Sequence, residues 1–131
     1  MATTRILDTY LHVRDGGGIG AVPVGEAFWR DLAEGRLPQL EEGRLMSAFT
    51  FDGPWSTWER HPSGDELVML LSGSVTLVLE AEGGETSVGL ASPGDYVVVP
   101  CGTWHTARTA VTTTLLFLTP GAGTEHRPVG V

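Results

Sequence analysis

Two histidines and two glutamates stand at spacings that suit metal binding. In Trp55-Ser56-Thr57-Trp58-Glu59-Arg60-His61, residues 55, 57, 59 and 61 share one face of a strand, because strand side chains alternate. Glu59 and His61 therefore point the same way. Pro62 and Gly64 mark a turn, and Glu66 opens the next strand, where it returns beside His61 across the hairpin. Glu66 leads into Leu67-Val68-Met69-Leu70-Leu71, and a carboxylate there is costly to bury unless it is paired or bound. The fourth group comes from Pro100-Cys101-Gly102-Thr103-Trp104-His105. Val97 to Val99 form a core strand that stops at Pro100, Gly102 permits a tight turn, and His105 begins the next strand. Closing a barrel brings His105 onto Glu59, His61 and Glu66. Imidazole and carboxylate both ligate divalent first-row ions. Two alternatives stay open for Glu59: a general base beside an ion held by three ligands, or a salt-bridge partner in a metal-free pocket. His61, Glu66 and His105 have their own alternative, a hydrogen-bonded network lining a pocket without metal.

The elements that must position these residues are mostly strands. Apolar and β-branched runs predict strands over Arg5–Val13, Arg44–Phe51, Trp55–His61, Glu66–Leu71, Val75–Glu80, Glu85–Ala91, Tyr96–Val99, Trp104–Thr109 and Thr113–Thr119. Turn residues such as Asp52-Gly53-Pro54, Ser72-Gly73 and Pro93-Gly94-Asp95 separate them. Gly16 to Gly20 reads as a flexible loop. Its consecutive glycines, with Pro23 soon after, do not match a dinucleotide-binding turn. Gly25 to Gly35 is the one predicted helix, with Ala27, Phe28, Leu32 and Ala33 on one face, and it is read as a cover over the barrel. Many short strands at regular spacing argue for an all-β sandwich or barrel. The expected organisation is an N-terminal segment 1–43, a barrel 44–119 and a coil-like tail 120–131.

The motifs carry a family resemblance. The first cupin motif, G-x5-H-x-H-x3-4-E-x6-G, compares with Gly53-PWSTW-Glu59-Arg60-His61-PSGD-Glu66-LVMLLS-Gly73. Every fixed position agrees except the first histidine, which is Glu59. The second motif, G-x5-P-x-G-x2-H-x3-N, compares with Gly94-DYVVV-Pro100-Cys101-Gly102-TW-His105-TAR-Thr109, where only the closing asparagine differs. Residues 44 to 119 thus resemble a cupin domain, which implies a double-stranded β-helix, or jelly-roll barrel. The resemblance also implies that His61, Glu66 and His105 hold a metal, with Glu59 in the remaining ligand position. Some sugar-phosphate isomerases of the superfamily are similar in carrying Gln-x-His-Pro where this chain has Glu59-Arg60-His61-Pro62. Two carboxylates with two imidazoles make a harder set than three imidazoles with one, which favours Fe, Mn, Ni or Zn over copper.

The resemblance implies a metal-dependent enzyme, dioxygenase- or isomerase-like, acting on a small organic substrate such as a dicarbonyl, a phenol or a polyketide-like molecule. The alternative is a non-catalytic ligand-binding or regulatory cupin. A metal-free sugar epimerase fits poorly, since no His–Asp dyad with a catalytic tyrosine can be assigned. Trp55 and Trp104 are candidate substrate-binding residues, and Trp58 lies near them in sequence; aromatic packing at the barrel ends is the alternative for all three. Cys101 reads as an ordinary turn residue. His12 reads as an edge or interface residue, and His126 as part of a solvated tail, with an arm folding over the site as the alternative.

Composition bounds the partners. With 131 residues and 41% hydrophobic side chains, the chain suits one domain. A net charge of −8 disfavours phosphate backbones and anionic membranes. One cysteine allows no internal disulfide, no run approaches the roughly 18 apolar residues of a membrane helix, and Met1 to Arg14 lacks a signal-peptide core, so a cytoplasmic location is expected. A homodimer is expected, with the N-terminal strand pairing against a neighbour's sheet edge.

Overall fold

Inward residues of β5 (Glu66–Ser72) and β10 (Thr113–Pro120) begin the core. The two strands pair antiparallel, and Val68, Leu70, Leu115 and Phe117 all project into one space. Val99 of β8 (Tyr96–Val99), paired with β5, joins them, and Leu77 of β6 (Val75–Ala81), Leu90 of β7 (Gly84–Leu90) and Ala107 of β9 (His105–Arg108) meet them from the other side. Burying such side chains supplies about 1.5–3 kcal/mol each. The remaining strands are β1 (Thr9–Val13), β2 (Ile19–Pro23), β3 (Arg44–Phe51), β4 (Thr57–Arg60) and β11 (Glu125–Pro128).

The computed structural model describes residues 2–130. Met1 and Val131, the outermost residues of the expected N-terminal segment and tail, lie outside them. Among the described residues, two antiparallel sheets face one another, one of order β2-β1-β3-β10-β5-β8 and one of order β11-β4-β9-β6-β7. The fold is an all-β double-stranded β-helix with one short helix, α1 (Phe28–Ala33). Gly73 makes the β5–β6 turn at φ +86°, where a Cβ would lie 2.4 Å from the Thr112 carbonyl. Only glycine fits that approach.

The predicted barrel strands differ from the observed ones by a residue or two at their ends. Three differences matter more. Residues 6–8 form a turn, so β1 starts at Thr9. The expected Gly loop is a tight hairpin turn with Gly17 at φ +94°, and Ile19 to Pro23 continue as β2. The expected coil 120–131 contains β11, paired with β4 along four residues. A second cluster, Tyr10, Phe28, Leu40 and Leu45, fastens α1 and a 3₁₀ turn (Pro38–Glu41) over one end of the barrel.

Two expectations about the N-terminus are corrected. Strand β1 lies between β2 and β3, so it has no free edge to offer a neighbour. His12 is not an edge residue: it is 4% exposed, with Nε2 2.8 Å from the Glu42 carbonyl oxygen.

Candidate metal centre

One rung of the smaller sheet carries His126, Glu59 and His105 side by side. His126 of β11 registers with Glu59 of β4, and Glu59 with His105 of β9. Cross-strand partners point to the same face, so all three reach into the barrel. His61 follows two residues after Glu59, just past the end of β4, where its carbonyl accepts from the Gly102 N–H at 2.9 Å. Glu66 comes from the opposite sheet, at the first residue of β5. The centre therefore bridges both sheets.

Four donor atoms, one each from Glu59, His61, Glu66 and His105, lie within 4.8 Å of one another. His105 Nε2 is 2.9 Å from Glu66 Oε1 and 3.4 Å from Glu59 Oε1. His61 Nε2 is 3.0 Å from Glu66 Oε2 and 3.6 Å from Glu59 Oε1. His61, Glu66 and His105 are buried, while Glu59 keeps partial exposure.

The outer nitrogens of both rings are held. His105 Nδ1 donates to the Thr103 carbonyl at 3.0 Å, and His61 Nδ1 shares a hydrogen bond with Thr124 Oγ1 at 2.9 Å. A proton kept on Nδ1 leaves the Nε2 lone pair facing the carboxylates, the arrangement that metal-ligating histidines use. Thr119 Oγ1 donates to Glu66 Oε2 at 2.6 Å, which fixes that carboxylate. His61 Nε2 is buried and lacks a hydrogen bond of acceptable geometry despite its short distance to Glu66. Such a nitrogen calls for a proton or an ion between it and the carboxylates.

Without an ion the four groups settle as charged pairs. Burial disfavours the charged imidazoles, yet the adjacent Glu59 and Glu66 raise His61 to about 9 and His105 to about 10. Burial likewise opposes charge on Glu59, but His105, His126 and His61 hold its carboxyl well below the usual range. Glu66 is lowered too, with His105 and His61 overcoming its desolvation. Two imidazoliums thus balance two carboxylates. A divalent ion with two neutral imidazoles gives the same balance, so the donor set fits the ion in charge as well as in type.

The cluster forms one end of a cavity of about 770 Å³. Trp29 and Leu32 of α1, Phe49 of β3, Trp55 and Phe117 line its apolar part, and Thr124 and His126 line its polar end. Of the two tryptophans that are candidates for substrate binding, Trp55 lines the cavity and packs on Phe49 and Phe117. Trp104 does not. It lies under Arg60 and Arg127, whose guanidinium carbons are 4.8 and 4.5 Å from its ring, and Trp58 lies under Arg127 on the same side. These stacks, with the Arg60–Glu125 and Arg127–Glu80 ion pairs, fasten β11 to the barrel. Cys101 Sγ contacts the Pro62 carbonyl at the surface, outside the centre.

Sequence reading missed Thr119 and Thr124. Thr119 was accessible from alternation, since it follows Leu115 and Phe117 on the inward face of β10. Thr124 carries no local signal, because its role depends on how the tail crosses the barrel. That crossing needs Gly121, where a Cβ would lie 2.1 Å from the Glu41 carbonyl.

The sequence model of the cupin domain matches residues 51–121, more than half of the chain. This protein belongs to the cupin family. Among solved structures it is similar to a cupin-2 domain protein from Shewanella frigidimarina, at 17% identity and TM-score 0.50, over 59% of this chain and 70% of that one. It is also similar to hydroquinone 1,2-dioxygenase from Sphingomonas sp. TTNP3 with 4-hydroxybenzoate bound, at 17% identity and TM-score 0.51, over 60% of each chain. A third is an oxalate oxidase in complex with the substrate analogue glycolate, at 16% identity and TM-score 0.52, over 63% of this chain and 45% of that one. Identities this low speak for the fold alone. A search of curated proteins returns no match.

Proposed function

We propose that this cupin holds a divalent first-row metal through Glu59, His61, Glu66 and His105 and acts enzymatically on a small organic molecule in the adjoining cavity. The observation that carries this reading is the convergence of four donor atoms within 4.8 Å, with a buried His61 Nε2 that lacks a hydrogen-bond partner. Fold relatives that act on small organic molecules, such as the hydroquinone dioxygenase, agree with it.

When bound, such an ion polarises a substrate oxygen or supports dioxygen chemistry. The chain's own residues do the rest. His61 and His105 stay oriented through Thr124 and Thr103. Glu59 is the one member of the set with side-chain exposure as high as 20%, and it faces the cavity. Its Oε2 lies 3.4 Å from His126 Nε2, and His126 is half exposed. A proton taken up at Glu59 Oε2 therefore has a short route to His126 and solvent.

The direct test is elemental analysis of protein purified without chelator or His-tag. About one first-row ion per chain is expected, and His105→Ala abolishes it. No stoichiometric metal, even after anaerobic loading, overturns the reading.

We also propose a homodimer through the outer face of the six-stranded sheet. The outward residues of its central strands include Met46, Leu116, Leu118, Leu67, Met69 and Tyr96, following the registers β3–β10, β10–β5 and β5–β8. Tyr96 is 60% exposed, and Val98 beside it 48%. Among the described residues, Arg44 is the one charged side chain with an outward position on these four strands. A chain of net charge −8 meets a second copy most easily on its uncharged face.

A further inference from the structure

We infer that the cavity takes a neutral, planar aromatic molecule bearing a hydroxyl or enol and discriminates against anions. This inference names the substrate class of the site proposed above and rests on that reading.

Shape supplies the first half. The cavity's volume lies in the range of pockets that enclose drug-sized ligands. Its apolar part carries four aromatic side chains, Trp29, Phe49, Trp55 and Phe117, beside Leu32, Leu37, Leu40 and Leu45. Phe49 stacks on Phe117 at 4.8 Å with ring planes 15° apart, and Trp55 packs within 6.2 Å of both. Trp29 reaches the same group from α1, 6.1 Å from Phe49. Rings held in this way offer faces and edges to another ring, in offset or edge-on contact.

Charge supplies the second half. All eight basic side chains of this protein are arginines, and among the described residues none of them lines the cavity. Glu41, Glu59 and Glu66 do line it. A carboxylate or phosphate entering this space loses its hydration and meets no positive charge that Glu59 and Glu66 do not already balance. The metal does not restore one. In the family pattern a divalent ion with three neutral histidines and one glutamate is a centre of charge +1. Glu59 replaces one of those histidines, and the centre becomes neutral. A hydroxyl or enol, by contrast, donates readily to the exposed oxygen of Glu59. The one departure within the ligand pattern and the missing arginines therefore act in the same direction.

The test is calorimetric titration of the metal-loaded protein at pH 7 with 2-naphthol, neutral, and 2-naphthoate, an anion of nearly the same shape. Naphthol should bind at least about tenfold more tightly. Glu59→His, which adds one positive charge to the loaded centre, should narrow that preference by about tenfold. Phe49→Ala should weaken naphthol by about tenfold through lost ring contact. Equal or tighter binding of naphthoate by the wild-type protein overturns the inference, and so does a failure of naphthol to bind. Metal content measured on the same samples separates the two readings. Naphthol preference without metal leaves the ligand class standing and removes the metal centre. Metal without naphthol binding does the reverse.

Discussion

His126 stands opposite Glu59 on neighbouring strands, with His126 Nε2 3.4 Å from Glu59 Oε2. The ligand position that departs from the family motif is thus one that the C-terminal strand touches. Glu59 faces the proposed ion site through Oε1 and His126 through Oε2. His126 is a positioning or proton-relay residue in this arrangement, and not one of the four converging donors. His126→Ala should leave metal content at the wild-type level and lower turnover by about 100-fold or more, as loss of a proton carrier does. Loss of metal in this variant would instead make His126 a ligand.

In the proposed centre Thr124 would act on the ion through His61. Its hydroxyl holds Nδ1, so Nε2 keeps its direction toward Glu59 and Glu66. Thr124→Val keeps the size of the side chain and removes the hydroxyl. Metal affinity should fall about 10–100-fold, while Thr124→Ser should retain most of it. A competitive chelator titration measures both. Equal affinity in all three proteins would mean that ring packing alone orients His61.

Metal uptake should release protons. At pH 7 both imidazoles of the metal-free centre are charged, His61 with a pKa of about 9 and His105 of about 10. A ligand imidazole must give up its Nε2 proton. Loading at pH 7 should therefore release about two protons per ion, and apparent affinity should rise by up to about 100-fold per pH unit below pH 9. Calorimetry in buffers of different ionisation enthalpy counts the protons. No release would show that the rings are already neutral.

Much of this centre was legible in the sequence, for a definite reason. Glu59, His61 and Glu66 are close along the chain, and strand alternation with one hairpin turn fixes their relation locally. His105 required barrel closure, which the spacing of the second motif supplied. The tail was illegible for the opposite reason. Thr124-Glu125-His126-Arg127 has no apolar alternation and looks like coil. It becomes a strand because β4 offers a free edge and because Arg127 packs over Trp58 and Trp104. The same stacks remove Trp104 from the cavity, although its place in sequence beside His105 suggested otherwise. Ile19 to Pro23 was hidden likewise, since glycines at the β1–β2 turn read as a loop while the strand they start is only five residues long.

The uncharged outer sheet gives a prediction about mass. Leu116 lies centrally on that face, registered with Ala48 on one side and Met69 on the other. Leu116→Arg puts a charge at the middle of the proposed contact without entering the core. Light scattering after size exclusion should give twice the monomer mass for the wild type and the monomer mass for the variant. A wild-type monomer at micromolar concentration would remove the proposed dimer.

The metal should also cancel the fall of stability with rising pH. In the metal-free protein His61 and His105 have pKa values raised above the unfolded 6.5, so their contribution is complete below pH 6.5 and fades as pH rises through about 9 and 10. Glu59 and Glu66 are lowered from 4.5, so their contribution is complete above pH 4.5 and is lost as pH falls. The metal-free protein should therefore be most stable between pH 4.5 and 6.5, and its Tm should drop steadily toward pH 10. The loaded protein binds its ion better as the imidazoles lose protons, and that gain offsets the loss, so its Tm should stay nearly level from pH 6.5 to pH 9. The two melting curves should thus diverge with pH. His105→Ala, lacking one of the two raised imidazoles and a metal ligand, should keep only the shallower decline due to His61 and show no effect of added metal. Parallel pH profiles for the metal-free protein and metal-treated samples would mean that the added ion binds elsewhere than these imidazoles.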